Sequence, residues 1–204
     1  MNIIRMWVLC IVGMQIPVLG ADVDDQWLQD ARAISKEIRD EISSRWQPHS
    51  HWEPKRYPAN QSPQAGGRTA FAVLALITSG VPSQRSDVAA ALQSLEGCRL
   101  TGTYAVAARI MAFCRLPDSR LGRVNRDVEA VLNAFQSNQN GWGYSIHNPA
   151  VRFDPCICQF VALALSEARN RGISISPKVF AAIRAMFIAH QRQDGGWSYQ
   201  AQGV

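Results

Sequence analysis

Three short stretches of this chain hold, at close spacing, residue types that perform chemistry. DVDD at 22–25 gathers three carboxylates. Buried beside one another, one of them would keep its proton and could donate it; ahead of a helix, the same acids complement the positive end of the helix dipole. HSHWE at 49–53 sets His49 and His51 two residues apart with Glu53 nearby. In an extended segment such a pair can present two imidazoles to a metal, although the prolines around it mark a loop. FDPCICQF at 153–160 places Asp154 before Pro155, Cys156 and Cys158. Asp followed by Pro is the N-cap and first residue of a helix, and the two cysteines then read as small buried residues on that helix.

A different pattern governs the chain as a whole. HQRQDGGWSYQ at 190–200 closes an apolar helix, and FQSNQNGWGYS at 135–145 repeats its frame: Gln136 and Trp142 are six residues apart, as are Gln191 and Trp197. Gly141 stands in the frame of Gly196, and Asn140 in that of Gly195. A repeat of this kind sets the reading of everything around it. Its residues suit a joint: glycines turn the chain at positive φ, glutamine can bond an exposed helix end, and tryptophan can lie across the neighbouring outer helix. Gln47 and Trp52 form a weaker version of the same frame.

The elements between the joints are helices. Trp27, Ala31, Ile34, Ile38 and Ile42 recur at steps of four, three, four and four, one face of an amphipathic helix over 23–46. Prolines at 48, 54, 58 and 63 then forbid helix as far as Gly66 and Gly67. Three helical hairpins follow: 68–80 with 86–97, 103–114 with 124–137, and 154–172 with 176–191. Ser86 or Asp87 is placed as an N-cap. In each hairpin the first helix is small and apolar, and the second is amphipathic. A helix apolar all round has to be buried on all sides, so the apolar helices form an inner ring and the amphipathic ones an outer ring. The fold expected is all-α: an α/α toroid, or an arc of one.

Composition is consistent with a globular core: 204 residues, 47% hydrophobic and 18% charged. The net charge of +5 comes from scattered residues, among them Arg68, Arg85, Arg99, Arg109, Arg115, Arg120, Arg123 and Arg126. They read as a solvated basic surface with no nucleic-acid partner. Residues 1–20 have the form of a secretory signal peptide, with Arg5 ahead of an apolar run and small residues at Val18 and Gly20. The run is shorter than the roughly 20 residues of a membrane span, so the mature protein is expected to be exported and not membrane-spanning. Residues 21–67 are then an N-terminal helix and proline-rich loop, and 68–204 the repeat region. Four cysteines remain after cleavage, which allows three pairings. Cys156 with Cys158 would be strained, leaving either free thiols or a Cys98–Cys114 bond.

QRQDGGWSY, NQNGWGYS, TAFAVLAL followed by GVP, and CQFVALAL resemble the prenyltransferase and squalene oxidase repeat, with its QW motif, found in the terpenoid cyclase and protein prenyltransferase α/α toroids. The resemblance covers about 68–200. It implies a toroid of about six hairpins, of which three are present, and so an arc that is either a piece of a longer chain or closed by self-assembly through its open edge. It implies an apolar central cavity lined by Tyr104, Phe160 and neighbours. It also gives two of the chemical stretches a second meaning. DVDD looks like the DxDD proton donor of class II terpene cyclases, though it lies outside every repeat. Asp154 and Cys156 match the Asp-x-Cys zinc ligands of protein prenyltransferases, without the histidine that completes that site. Two functions follow: an exported repeat module that binds an extended apolar or peptide ligand or scaffolds other proteins, needing no cofactor, and an isoprenoid-handling enzyme, with zinc as the cofactor of its transferase form.

Overall fold

The computed structural model describes residues 25–49, 51–53, 65–137, 141–147 and 154–197. Residues 1–20, expected to be a signal peptide, Asp22 to Asp24 of the acidic run and most of the proline-rich loop lie outside them, as do the side chains of Asp25 and Gln136. The described residues contain helices and no strand. In chain order the helices are α1 (Asp25–Ser44), α2 (Gly67–Thr78), α3 (Ser86–Gly97), α4 (Thr103–Cys114), a single 3-10 turn (Asp118–Arg120), α5 (Leu121–Ser137), α6 (Pro155–Asn170) and α7 (Pro177–Ala189). The periodicity-based boundaries of α3 and α4 coincide with those observed. Capping differs at α3: its N-cap is Arg85 and has no side-chain cap bond. The Asp87 carboxylate instead pairs with the Arg85 guanidinium, at 2.7 and 2.8 Å.

The apolar helices α2, α4 and α6 form a row with α4 in the middle, packed along both of the others. All three point the same way. At one end the start of α2 meets the start of α4: a Cβ on Gly67 would lie 3.5 Å from that of Ala105. At the other, Arg115 after α4 donates to Glu167 near the end of α6, and Arg171 after α6 donates to the carbonyl of Leu116, both at 3.0 Å. Helices α1 and α3 pack on α2, α5 packs on α4 and α6, and α7 packs on α6. Small side chains make the row possible: Ala70, Ala72, Ala75, Ala105, Ala107, Ala108, Ala112, Ala164 and Ala168 are all buried. Close approach is also required at Gly66, where φ is +80° and a Cβ would fall 2.4 Å from Leu100.

One inner-helix residue contradicts the reading of the arginines as a solvated surface. Arg109 is 1% exposed. Its Nε and Nη2 grip both oxygens of Asp127 on α5 at 2.7 Å, and its Nη1 donates at 2.7 Å to the carbonyls of Leu95 and Cys98. Carbonyls at the end of a helix have no partner of their own, and here α3 ends on a guanidinium. Arg123 adds a second donor to the Cys98 carbonyl at 2.7 Å. Burial, then the nearby Arg109 charge, hold the Arg123 pKa below its usual value.

The joints are built alike. In each, the tryptophan indole donates to a carbonyl near the end of the helix just completed: Trp52 to Ile42 at 2.7 Å, Trp142 to Val131 at 2.9 Å and Trp197 to Phe187 at 2.8 Å. The indole N–H therefore closes its own helix. Gln191 likewise bonds within its loop, to the Gly195 carbonyl at 2.8 Å, rather than capping a helix end. Gly195 makes that loop at φ +83°. The weak Gln47 and Trp52 frame is a true third joint, with Gln47 and His51 exchanging backbone bonds of 2.9 and 2.7 Å.

Removing one member of a buried ion pair strands the other and costs about 3–5 kcal/mol, whereas exposed pairs contribute about 0–1 kcal/mol. Asp127→Ala is therefore expected to lower unfolding stability in urea by the larger amount. Asp40→Ala, which removes the exposed pair with Lys36, is expected to leave it nearly unchanged. Equal effects would mean that the Arg109 clamp is not what holds α3, α4 and α5 together.

Candidate functional site

At the starting end of the inner row four aromatic rings meet, each delivered by a different element. Phe71 comes from α2, Tyr104 from α4, Phe160 from α6 and Tyr144 from the joint after α5. Tyr104 and Phe160, expected to line a cavity, touch each other edge to face with centroids 5.3 Å apart. Phe71 lies 5.4 Å from Phe160 and 6.5 Å from Tyr104, and Tyr144 lies 6.3 Å from Tyr104. Edge-to-face packing at such distances satisfies the ring quadrupoles. Phe160 is buried under the group, Phe71 and Tyr104 are half-buried, and Tyr144 is 48% exposed. The result is a graded aromatic surface rather than a closed core.

The joint positions the fourth ring. Tyr144 and Gly143 turn their carbonyls to the first residue of α4: Thr103 donates its N–H to Tyr144 at 3.0 Å and its hydroxyl to Gly143. Ile146 donates back to Thr101 at 3.0 Å. Unpaired N–H groups at a helix start are thus satisfied by backbone from the next joint, and Tyr144 is fixed beside Tyr104. Trp142 anchors the other side. It is 1% exposed, stacked 4.5 Å from Phe135, and its carbonyl accepts from the Cys158 thiol.

The polar residues at this end act as helix caps. Asp154 Oδ1 accepts from the N–H groups of Cys156 and Ile157 at 2.9 and 3.1 Å, the arrangement that Asp before Pro foretells. Glu53 does the same for α2, accepting from the Thr69 N–H at 2.9 Å and its hydroxyl at 3.1 Å. Both carboxylates therefore stabilise helix starts next to the aromatic group. Cys156 is half-buried beside Asp154, and its thiol pKa is pushed up by burial and, to a lesser extent, by that carboxylate. Burial pushes Cys114 and Cys158 up to about 11. All four described cysteines are free. His51, at φ +53°, is held below its usual pKa by burial, with Glu53 opposing. His49 is exposed. Among the described residues no group of three or more His, Cys, Asp and Glu is placed to hold a metal ion, and no described helix is long and apolar enough to cross a membrane.

Phe71 escaped the reading of the sequence, yet the signal was present. TAFAVLAL and CQFVALAL put Phe71 and Phe160 at the same place in one frame. Tyr144 carries no comparable signal, because its place depends on backbone bonds between two loops. No protein family, curated protein or solved structure matches the chain.

A thiol whose pKa lies near 11 stays protonated, and so unreactive, until the pH approaches that value. Alkylation of the native protein by iodoacetamide at about pH 8 should reach the half-buried Cys98 before the buried Cys114 and Cys158. Cys114 and Cys158 should react only on unfolding or as the pH climbs toward about 11. Peptide mass mapping reads the order, and modification of Cys158 as fast as Cys98 would contradict it.

Proposed function

We infer that the row of inner helices with its outer partners is an arc of an α/α toroid, and that the chain is an exported, non-enzymatic module binding an extended apolar or peptide ligand. The observation that carries this reading is the aromatic surface of Phe71, Tyr104, Tyr144 and Phe160. Rings that grade from buried to exposed offer stacking faces and edges to an apolar chain, with the tyrosine hydroxyls as polar handles. The three joints that share the indole bond support the repeat architecture that a toroid requires.

The transferase form of an isoprenoid-handling enzyme would use Asp154 and Cys156 at this same end as zinc ligands. Asp154 is committed there to two helix N–H groups, and the Cys156 thiol is pushed away from ionisation. These are the conditions of caps and packing residues, so the binding reading is the better supported. Fold resemblance alone does not decide between the two.

The reading is tested by calorimetric titration with farnesol and, separately, with an extended apolar peptide. One of them should bind, and Tyr104→Ala or Phe71→Ala should weaken that binding by about tenfold or more, as expected for aromatic anchors. Asp154→Asn should leave it within about twofold. Failure of both ligands to bind at about 100 μM, or binding indifferent to both aromatic truncations, would reject the reading.

A further inference from the structure

The two end helices, α1 and α7, present outward faces unlike that of the middle outer helix. With Gln136 set on Gln191, α5 exposes Arg126, Glu129 and Asn133 to water, whereas α7 exposes Ala181, Arg184 and Ile188 at the same places. Ile188 is 54% exposed. Lys178, Ala181, Ala185 and Ile188 recur at steps of three, four and three, which is one stripe along the helix. Its centre is small and apolar, Lys178 and Arg184 supply cations, and α7 contains no acidic residue. Trp197 continues the exposure: it is 46% exposed, although Trp142 in the corresponding joint is 1% exposed and bonded by Cys158 of α6.

Helix α1 carries the complement. Asp30, Ile34, Glu37 and Glu41 recur at steps of four, three and four, all exposed, with Ile34 51% exposed. Arg32 lies off this stripe. Lys36 is engaged with Asp40, and Arg45 with Glu41, by exposed pairs within the helix.

We propose that a second copy of this chain docks head to tail, the α7 stripe of one copy on the α1 stripe of the next. Ile188, Ala181 and Ala185 cover Ile34, and Lys178 and Arg184 face Asp30 and Glu37. Charge selects this pairing. An α7-to-α7 dimer would bring Lys178 and Arg184 of both copies together with no acid on either helix, while α7-to-α1 places cations against carboxylates. The alanines select a helix as occupant: they allow two helix axes to approach to about 8–10 Å, but they offer little apolar depth to a lipid surface. Because the two stripes differ, the contact is heterologous, and association runs on into longer oligomers unless it closes into a ring. The contact uses outer helices only, so it stands apart from the ligand reading.

Analytical ultracentrifugation of the full chain tests the proposal. Mass should rise with concentration and fall toward the monomer at about 1 M salt, where surface charges are screened. Ile34→Arg and Ile188→Arg should each be monomeric alone, and circular dichroism should match the unaltered protein because both positions are exposed. Mixed in equal amounts, the two variants should form a dimer and stop there, since each retains one good stripe of opposite kind. A wild type that stays monomeric, association lost in Ile188→Arg but kept in Ile34→Arg, or a mixture that stays monomeric would each overturn it. So would a monomeric wild type that sediments with phosphatidylglycerol vesicles, which would make α7 a lipid-binding face.

Discussion

The buried guanidinium of Arg109 is the constraint on which the arrangement depends. An uncompensated charge at that depth would be costly, so the carboxylate of Asp127 must be brought to it across α4 and α5. The same group holds the terminal carbonyls of α3. Three helices are thereby fixed to one side chain in the middle of the inner row. Apolar packing alone would allow α3 and α5 to slide along α4, because hydrophobic contact is not directional. Four charge-assisted hydrogen bonds from a planar fork are directional and set the register.

Register at the clamp is passed to the ends by the tryptophan joints. Each indole bonds a carbonyl of the helix it follows, which fixes how far the chain travels before the next inner helix begins. In the middle repeat the same joint reaches back through Tyr144 and Gly143 to the start of α4. The aromatic surface follows from this. Phe71, Tyr104 and Phe160 converge because their helices are parallel and start together, and Tyr144 joins them because the joint is tied to Thr103. With Asp154 and Glu53 occupied at helix starts, what remains available at that end for recognition is aromatic area.

Much of this was legible in the sequence, and the limits have physical causes. Helical periodicity fixes faces, so the helices themselves could be assigned, and α3 and α4 could be bounded by their flanking breakers. Asp154 before Pro155 announced its cap. Periodicity cannot show which polar residue finds a partner inside: Arg109 sits in TYAVAARIMAF as one cation among apolar neighbours, and only the packed structure brings Asp127, eighteen residues later, to meet it. The pattern also treats the third outer helix like the others, although α7 leaves Ala181, Ala185 and Ile188 uncovered. The direction of the indole bond was likewise hidden, since spacing places Trp197 near a helix end without saying whose.

The aromatic surface is tested most directly by NMR of the protein labelled at its aromatic rings, titrated with farnesol and, separately, with an extended apolar peptide. Shifts should concentrate on Phe71, Tyr104, Tyr144 and Phe160 and on the amides of residues 143–146. Shifts centred on α7 and Trp197, with the four rings unmoved, would contradict it.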